Sequence, residues 1–137
     1  MCSGSATRLA SSALGLALLV GPVTAQPALQ PAVRLVVQSS ALAGFRYHAA
    51  AEVWDGLRVG DQLVMRREPD NPHDPNAVSL SWHGRKLGYV PRRENATLAW
   101  GLDRGEPLRA RISRLSAHPN PAKRIEFEAF VENEVEK

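Results

Sequence analysis

The centre of the chain pairs with itself, and that pairing limits what the rest can become. Ala77-Val78-Ser79-Leu80-Ser81-Trp82 alternates with period two, placing Val78, Leu80 and Trp82 on one face and Ala77, Ser79 and Ser81 on the other. His83-Gly84 follows as a tight turn with glycine where a positive φ is wanted, and Lys86-Leu87-Gly88-Tyr89-Val90 returns as the partner strand. A hairpin with one apolar face needs a second layer to bury it, so the flanking segments must supply further strands or a helix.

They supply both. Val33-Arg34-Leu35-Val36-Val37 suits a strand, Phe45 to Val53 reads as a second extended segment after Gly44, and Gln62 to Arg67 as a third. Pro69, Pro72 and Pro75 force an irregular loop before the hairpin. Leu108 to Leu115 alternates again, and Ile125-Glu126-Phe127-Glu128-Ala129-Phe130-Val131 does so cleanly. Pro91 suits a helix start, and Ala96, Leu98, Ala99 and Leu102 lay one apolar stripe along Arg92 to Asp103, which Gly105 and Pro107 end. About six strands, from these seven extended segments, and one helix predict a mainly β fold, a compact half-open barrel or curled sheet with the helix plugging one end. Trp54, Trp82 and Trp100 are read as core.

The first 32 residues differ from the rest: Arg8 is their only charge, Leu9 to Val20 is apolar or small, and Val23-Thr24-Ala25 follows Pro22. The pattern predicts a signal peptide over 1–25 cleaved after Ala25, a flexible lead over 26–32, a domain over 33–132 and an acidic tail over 133–137. Such a chain is expected in the periplasm or outside the cell, or in the cytoplasm if the start codon is misassigned, with no stable membrane insertion after cleavage. Cleavage also removes Cys2, the one cysteine, and with it any disulfide or thiolate metal site.

Charge is divided along the chain. From Arg34 to Arg124 there are 15 Lys and Arg against 9 Asp and Glu, a surplus of six, while Glu126, Glu128, Glu132, Glu134 and Glu136 gather at the C-terminus. A basic body is compatible with a polyanionic partner but does not require one. Catalysis finds no support, since there is no P-loop and no Gly-x-Ser-x-Gly. The four histidines are spread over separate loops, so neither a metal nor another cofactor is expected.

Three segments carry a family resemblance: Gly44-Phe45-Arg46-Tyr47, then Arg67-Glu68-Pro69-Asp70-Asn71-Pro72-His73-Asp74-Pro75-Asn76-Ala77-Val78, then Gly88-Tyr89-Val90-Pro91-Arg92. Together they resemble the HIRAN domain over roughly Val33 to Val131. The resemblance implies a modified OB-like β-barrel that acts as a nucleic-acid-binding module, in its best understood DNA-binding member through a pocket for the free 3′ end of single-stranded DNA. It implies a site made of Arg46, Tyr47, His48, Asn71, His73, Asp74, Tyr89 and Arg92. Tyr47 would stack on a base, Asp74 would accept a hydrogen bond from a terminal 3′ hydroxyl, and Arg92 would pair with backbone phosphate. His73 and His48 stand where that DNA-binding member carries aromatic rings, which leaves DNA and RNA both open.

Each of these residues also has a purely structural reading. Asn71, Asp74 and Asn76 are standard partners for loop backbone donors. Tyr47 can be a core residue with a wet hydroxyl, and Arg109, Arg111 and Arg114 read as the solvated face of a strand. Two functions therefore stand: a monomeric nucleic-acid end-binding module, or an exported module that binds an unrelated protein or glycan.

Overall fold

The computed structural model describes residues 33–133 and a few isolated positions before residue 22. The expected signal peptide, the lead over 26–32 and the last four residues of the acidic tail therefore lie outside the described segment. Six strands form one antiparallel sheet: β1 (Val33–Ala41), β2 (Gln62–Arg67), β3 (Val78–Trp82), β4 (Arg85–Tyr89), β5 (Leu108–Leu115) and β6 (Ile125–Asn133). Their order is β1-β6-β5-β2-β3-β4. Two short helices complete the fold, α1 (Ala50–Val53) and α2 (Ala96–Asp103).

The sheet curls because β2 changes partner midway. Gln62 and Leu63 pair with Arg111 and Ala110 of β5, whereas Val64 to Arg67 pair with Ser81 to Val78 of β3. The two edge strands then approach at a single place. Ala43, two residues past β1, exchanges both backbone hydrogen bonds with Tyr89 of β4, each 2.9 Å. No other β1 to β4 pairing occurs among the described residues, which makes the barrel half-open, as expected from the strand count. Gly88 permits this approach: a Cβ there would lie 2.2 Å from the Ala43 carbonyl oxygen. Inside the curl, Leu42, Leu80, Leu87, Leu98, Ile112 and Phe127 are almost fully buried.

The central hairpin forms as its residues dictate. His83 and Gly84 both take positive φ, 46° and 77°, the combination a right-twisted two-residue turn requires. Three other expectations are corrected. Phe45 to Val53 is not extended: Gly44 turns the chain with φ 81°, Phe45–Tyr47 wraps into a 3-10 helix, and the alanine-rich stretch after it forms α1. This coiling buries Phe45 and brings its ring edge-on to Trp54 at 5.8 Å.

Second, the main helix starts at Ala96 and not at Arg92. Pro91 to Glu94 is instead a turn, closed by Glu94 N–H to the Pro91 carbonyl, and β1 holds it through Gln38 to the Glu94 carbonyl and Ser40 to the Glu94 carboxylate. Third, Trp100 is not core. It stands 57% exposed on the outer side of α2, while Leu98 and Ala99 take the inner side. Trp54 and Trp82 do pack against the core.

The division of charge disappears once the strands pair. β5 and β6 lie side by side, and Arg111 meets Glu128 at 3.1 Å, Arg109 meets Glu132 at 3.0 Å and Arg114 meets Glu126 at 3.7 Å. Arg34 of β1 reaches Glu132 from the other flank. Basic body and acidic end thus neutralise each other across one face, with each exposed pair contributing at most about 1 kcal/mol. Phe130, buried on that same face, lies beneath the guanidinium groups of Arg34 and Arg111 at 5.5 and 5.2 Å.

Candidate functional site

The proline-rich loop is built before any ligand is considered. Glu68 N–H donates to the Ala77 carbonyl at 2.9 Å and closes its neck. Inside, Asn71, Asp74 and Ala77 each donate a backbone N–H to the carbonyl three residues earlier, giving three successive turns. Asparagine and aspartate side chains take the N–H groups these turns leave over: Asn71 Oδ1 accepts from His73 and Asp74 Oδ1 from Asn76, both at 2.9 Å. Asp74 Oδ2 accepts from Asn95 Nδ2 at 2.6 Å. The structural reading of Asn71 and Asp74 is therefore correct as far as it goes.

Asn95 has no counterpart in the residues singled out from the sequence. It stands just before α2, where an asparagine ordinarily caps the helix, yet its side chain makes no cap hydrogen bond and reaches across to Asp74 while 2% exposed. The helix expected from Arg92 enclosed it, and nothing in the local sequence marks its distant partner.

Beside this loop lies a cavity of about 600 Å³, within the range of small-ligand pockets. Tyr47, His48, Asn71, His73, Asp74, Tyr89 and Arg92 all line it, so seven of the eight expected site residues converge from three separate segments. Arg46 does not. It points into a smaller neighbouring depression of about 160 Å³ with Asn120 and Pro121, sharing only Gly44 and Tyr47 with the main cavity. Tyr47 is 84% exposed, which corrects the core reading of that ring.

Tyr89 forms one wall and is fixed from both sides. Its hydroxyl donates to Glu68 Oε1 and accepts from Lys86 Nζ, both at 3.1 Å, while Lys86 Nζ also donates to Glu68 Oε2 at 2.9 Å. The Lys86 ammonium lies 5.0 Å from the Tyr89 ring centre, and His48 meets the ring edge-on at 5.3 Å. Burial disfavours the Glu68 charge, but the hydrogen bonds from Lys86 and Tyr89 outweigh it and hold the carboxyl below its usual range. Lys86 is raised by its bonds to Tyr89 and Glu68. His48 is pushed below 6.5, first by burial and then by the Lys86 charge, so its ring is neutral at pH 7.

That arrangement has a measurable consequence. The unfolded chain takes up a proton at His48 before the folded one does, so acidification from 6.5 down to the lowered value removes stability. In an NMR titration, the His48 ring is expected to protonate below 6.5, and Lys86→Met to move its midpoint only part of the way back, because burial remains. An unmoved midpoint would remove Lys86 from this account.

The cations around the cavity are distinct from those of the β5–β6 face. Among the described residues, Arg46, Arg58, Arg66, Arg92, Arg93, Lys123 and Arg124 make no ion pair, Arg58 and Arg124 being bonded to backbone carbonyls instead. Of these unpaired cations, Arg92 lies on the cavity rim and Arg46 lines the neighbouring depression.

The HIRAN domain model matches residues 35–133. The chain belongs to the HIRAN domain family. HIRAN domains are nucleic-acid-binding modules, and the barrel here is similar to two solved structures. A protein from Lactobacillus plantarum superposes with a TM-score of 0.62 at 26% identity, over 72% of this chain and 95% of that one. The HIRAN domain of human HLTF superposes with a TM-score of 0.52 at 16% identity, over 71% of this chain and 78% of that one, a likeness of fold alone. A Fanconi-associated nuclease 1 homolog from Oryza sativa subsp. japonica is 34% identical over 73 residues, half of this chain. This HIRAN chain spans only 7% of that nuclease homolog.

Proposed function

We propose that the cavity binds single-stranded DNA by its free 3′ end, without catalysis. The observation that supports this best is the setting of Asp74. Each of its oxygens already accepts one N–H, which fixes the carboxylate at the cavity wall, and each retains a lone pair for a ligand hydroxyl. A terminal 3′ hydroxyl can donate there. An internal nucleotide carries a phosphate in the same place, and the carboxylate repels it. Tyr47 offers a ring with little packing of its own, and base stacking on such a ring is worth about 1–3 kcal/mol. Arg92, exposed at the rim and without an ion pair among the described residues, takes backbone phosphate.

The test is a titration of the chain with matched oligonucleotides ending in a 3′ hydroxyl or a 3′ phosphate, at two salt concentrations, with an RNA of the same sequence alongside. The hydroxyl form is expected to bind more tightly, and Arg92→Ala to flatten the salt dependence by about 0.7 in slope. Equal binding of both ends removes the end-reading claim, and tighter RNA binding moves the substrate class.

A further inference from the structure

The outer face of β2, β3 and β4 holds a second cavity, of about 420 Å³, that none of the expected site residues lines. Its geometry follows from strand register. Arg66 pairs with Ser79 and Ser79 with Tyr89, making one row across three strands; Val64, Ser81 and Lys86 make the next. Tyr89, at the end of the first row, is also a wall of the larger cavity. The two cavities share no lining residue, but Glu68 and Lys86 of the second are hydrogen-bonded to Tyr89 of the larger, so this group stands between them.

Charge on this second surface is simple. Glu68 and Lys86 cancel each other. Arg66 is exposed and makes neither an ion pair nor a side-chain hydrogen bond among the described residues, and the Ser81 hydroxyl beside it is equally free. A guanidinium and a hydroxyl in a cavity lined by no aromatic ring suit a phosphodiester better than a base.

We infer that Arg66 and Ser81 hold the backbone phosphate of a DNA strand that leaves the larger cavity over Tyr89 and crosses the outer face of β4, β3 and β2. This rests on the reading of the larger cavity as a strand-end site. It makes the domain read a strand in two parts, the end by Asp74 and the following backbone by Arg66.

Two ligands separate the parts: a dinucleotide, which fills only the end cavity, and a strand of about 8 nucleotides, within the span of one OB-like domain. The longer strand is expected to bind more tightly than the dinucleotide to the wild-type chain. Arg66→Ala should weaken the longer strand by about tenfold and lower its salt slope by about 0.7, leaving dinucleotide affinity unchanged. Arg66→Lys should restore most of the loss, and the melting temperature, unmoved in both variants, confirms that the fold is intact. If dinucleotide and longer strand bind wild type equally, or if Arg46→Ala abolishes the length advantage while Arg66→Ala does not, the route over the sheet is wrong and the end site stands. If neither ligand binds, the end site falls and this route with it.

Discussion

Gly88→Ala is expected to destabilise the chain by about 3–5 kcal/mol, since it makes the closest approach of a Cβ added at any described glycine. The added Cβ would lie 2.2 Å from the Ala43 carbonyl oxygen and 3.1 Å from Leu42 Cγ. Neither neighbour is the loose end of a side chain that can swing away. Leu42 is buried in the core, and Ala43 is held by both hydrogen bonds of its bridge to Tyr89. Accommodation requires the segment to lift off β4, which breaks two backbone hydrogen bonds at about 1 kcal/mol each and adds an overpacking cost of about 1–3 kcal/mol. Ala43, Gly44 and Tyr89 all line the larger cavity, so ligand binding is lost together with stability. Denaturant unfolding checks the first effect, and amide exchange at Ala43 and Tyr89 locates it. A wild-type midpoint with both amides still protected would show that the contact yields more easily than its geometry allows.

Asp74 carries the second large effect, and two substitutions divide its roles. In Asp74→Ala the Asn76 N–H loses its acceptor and the Asn95 amide, 2% exposed, is left without one in the interior. Losing the loop cap at about 1 kcal/mol and orphaning a buried amide at about 1–3 kcal/mol gives about 2–4 kcal/mol in total. Asp74→Asn keeps both contacts, because the new amide can donate to Asn95 once the Asn95 side chain turns its oxygen toward it. The charge goes, together with one of the two acceptor oxygens. The asparagine variant should therefore unfold near the wild-type midpoint yet bind 3′ phosphate and 3′ hydroxyl strands alike. An asparagine variant that still prefers the hydroxyl would mean that the carboxylate charge does not exclude phosphate.

Local pattern and tertiary partnership divided what was legible. The hairpin from Ala77 to Val90 could be read because its turn and alternation are both local, and His83 with Gly84 adopts the two positive φ values such a turn needs. The converging residues Tyr47, Asn71, Asp74, Tyr89 and Arg92 could be read because their spacing resembles a known family. Segments whose structure depends on distant partners were misread. Phe45 to Val53 contains residues suited to a strand, but burying Phe45 and the Trp54 edge contact required a coil of short helices. Arg109, Arg111 and Arg114 do stand on the solvated face read for them, but the glutamates that pair with them there come from β6, more than ten residues further on, and had no local signal. Asn95 fell inside the helix expected from Arg92, and nothing local marks its partner: its bond to Asp74 joins residues 21 apart, on either side of the hairpin in sequence.

The loop from Glu68 to Ala77 carries four backbone hydrogen bonds and two side-chain caps before anything enters the cavity. Its conformational entropy is lost during folding, at roughly 1–2 kcal/mol per residue, and not during association. A ligand therefore meets walls that already stand in place, and little of its contact energy goes into ordering the protein. Encounter should then be governed by diffusion and long-range charge attraction, with differences between ligands appearing in how slowly they leave.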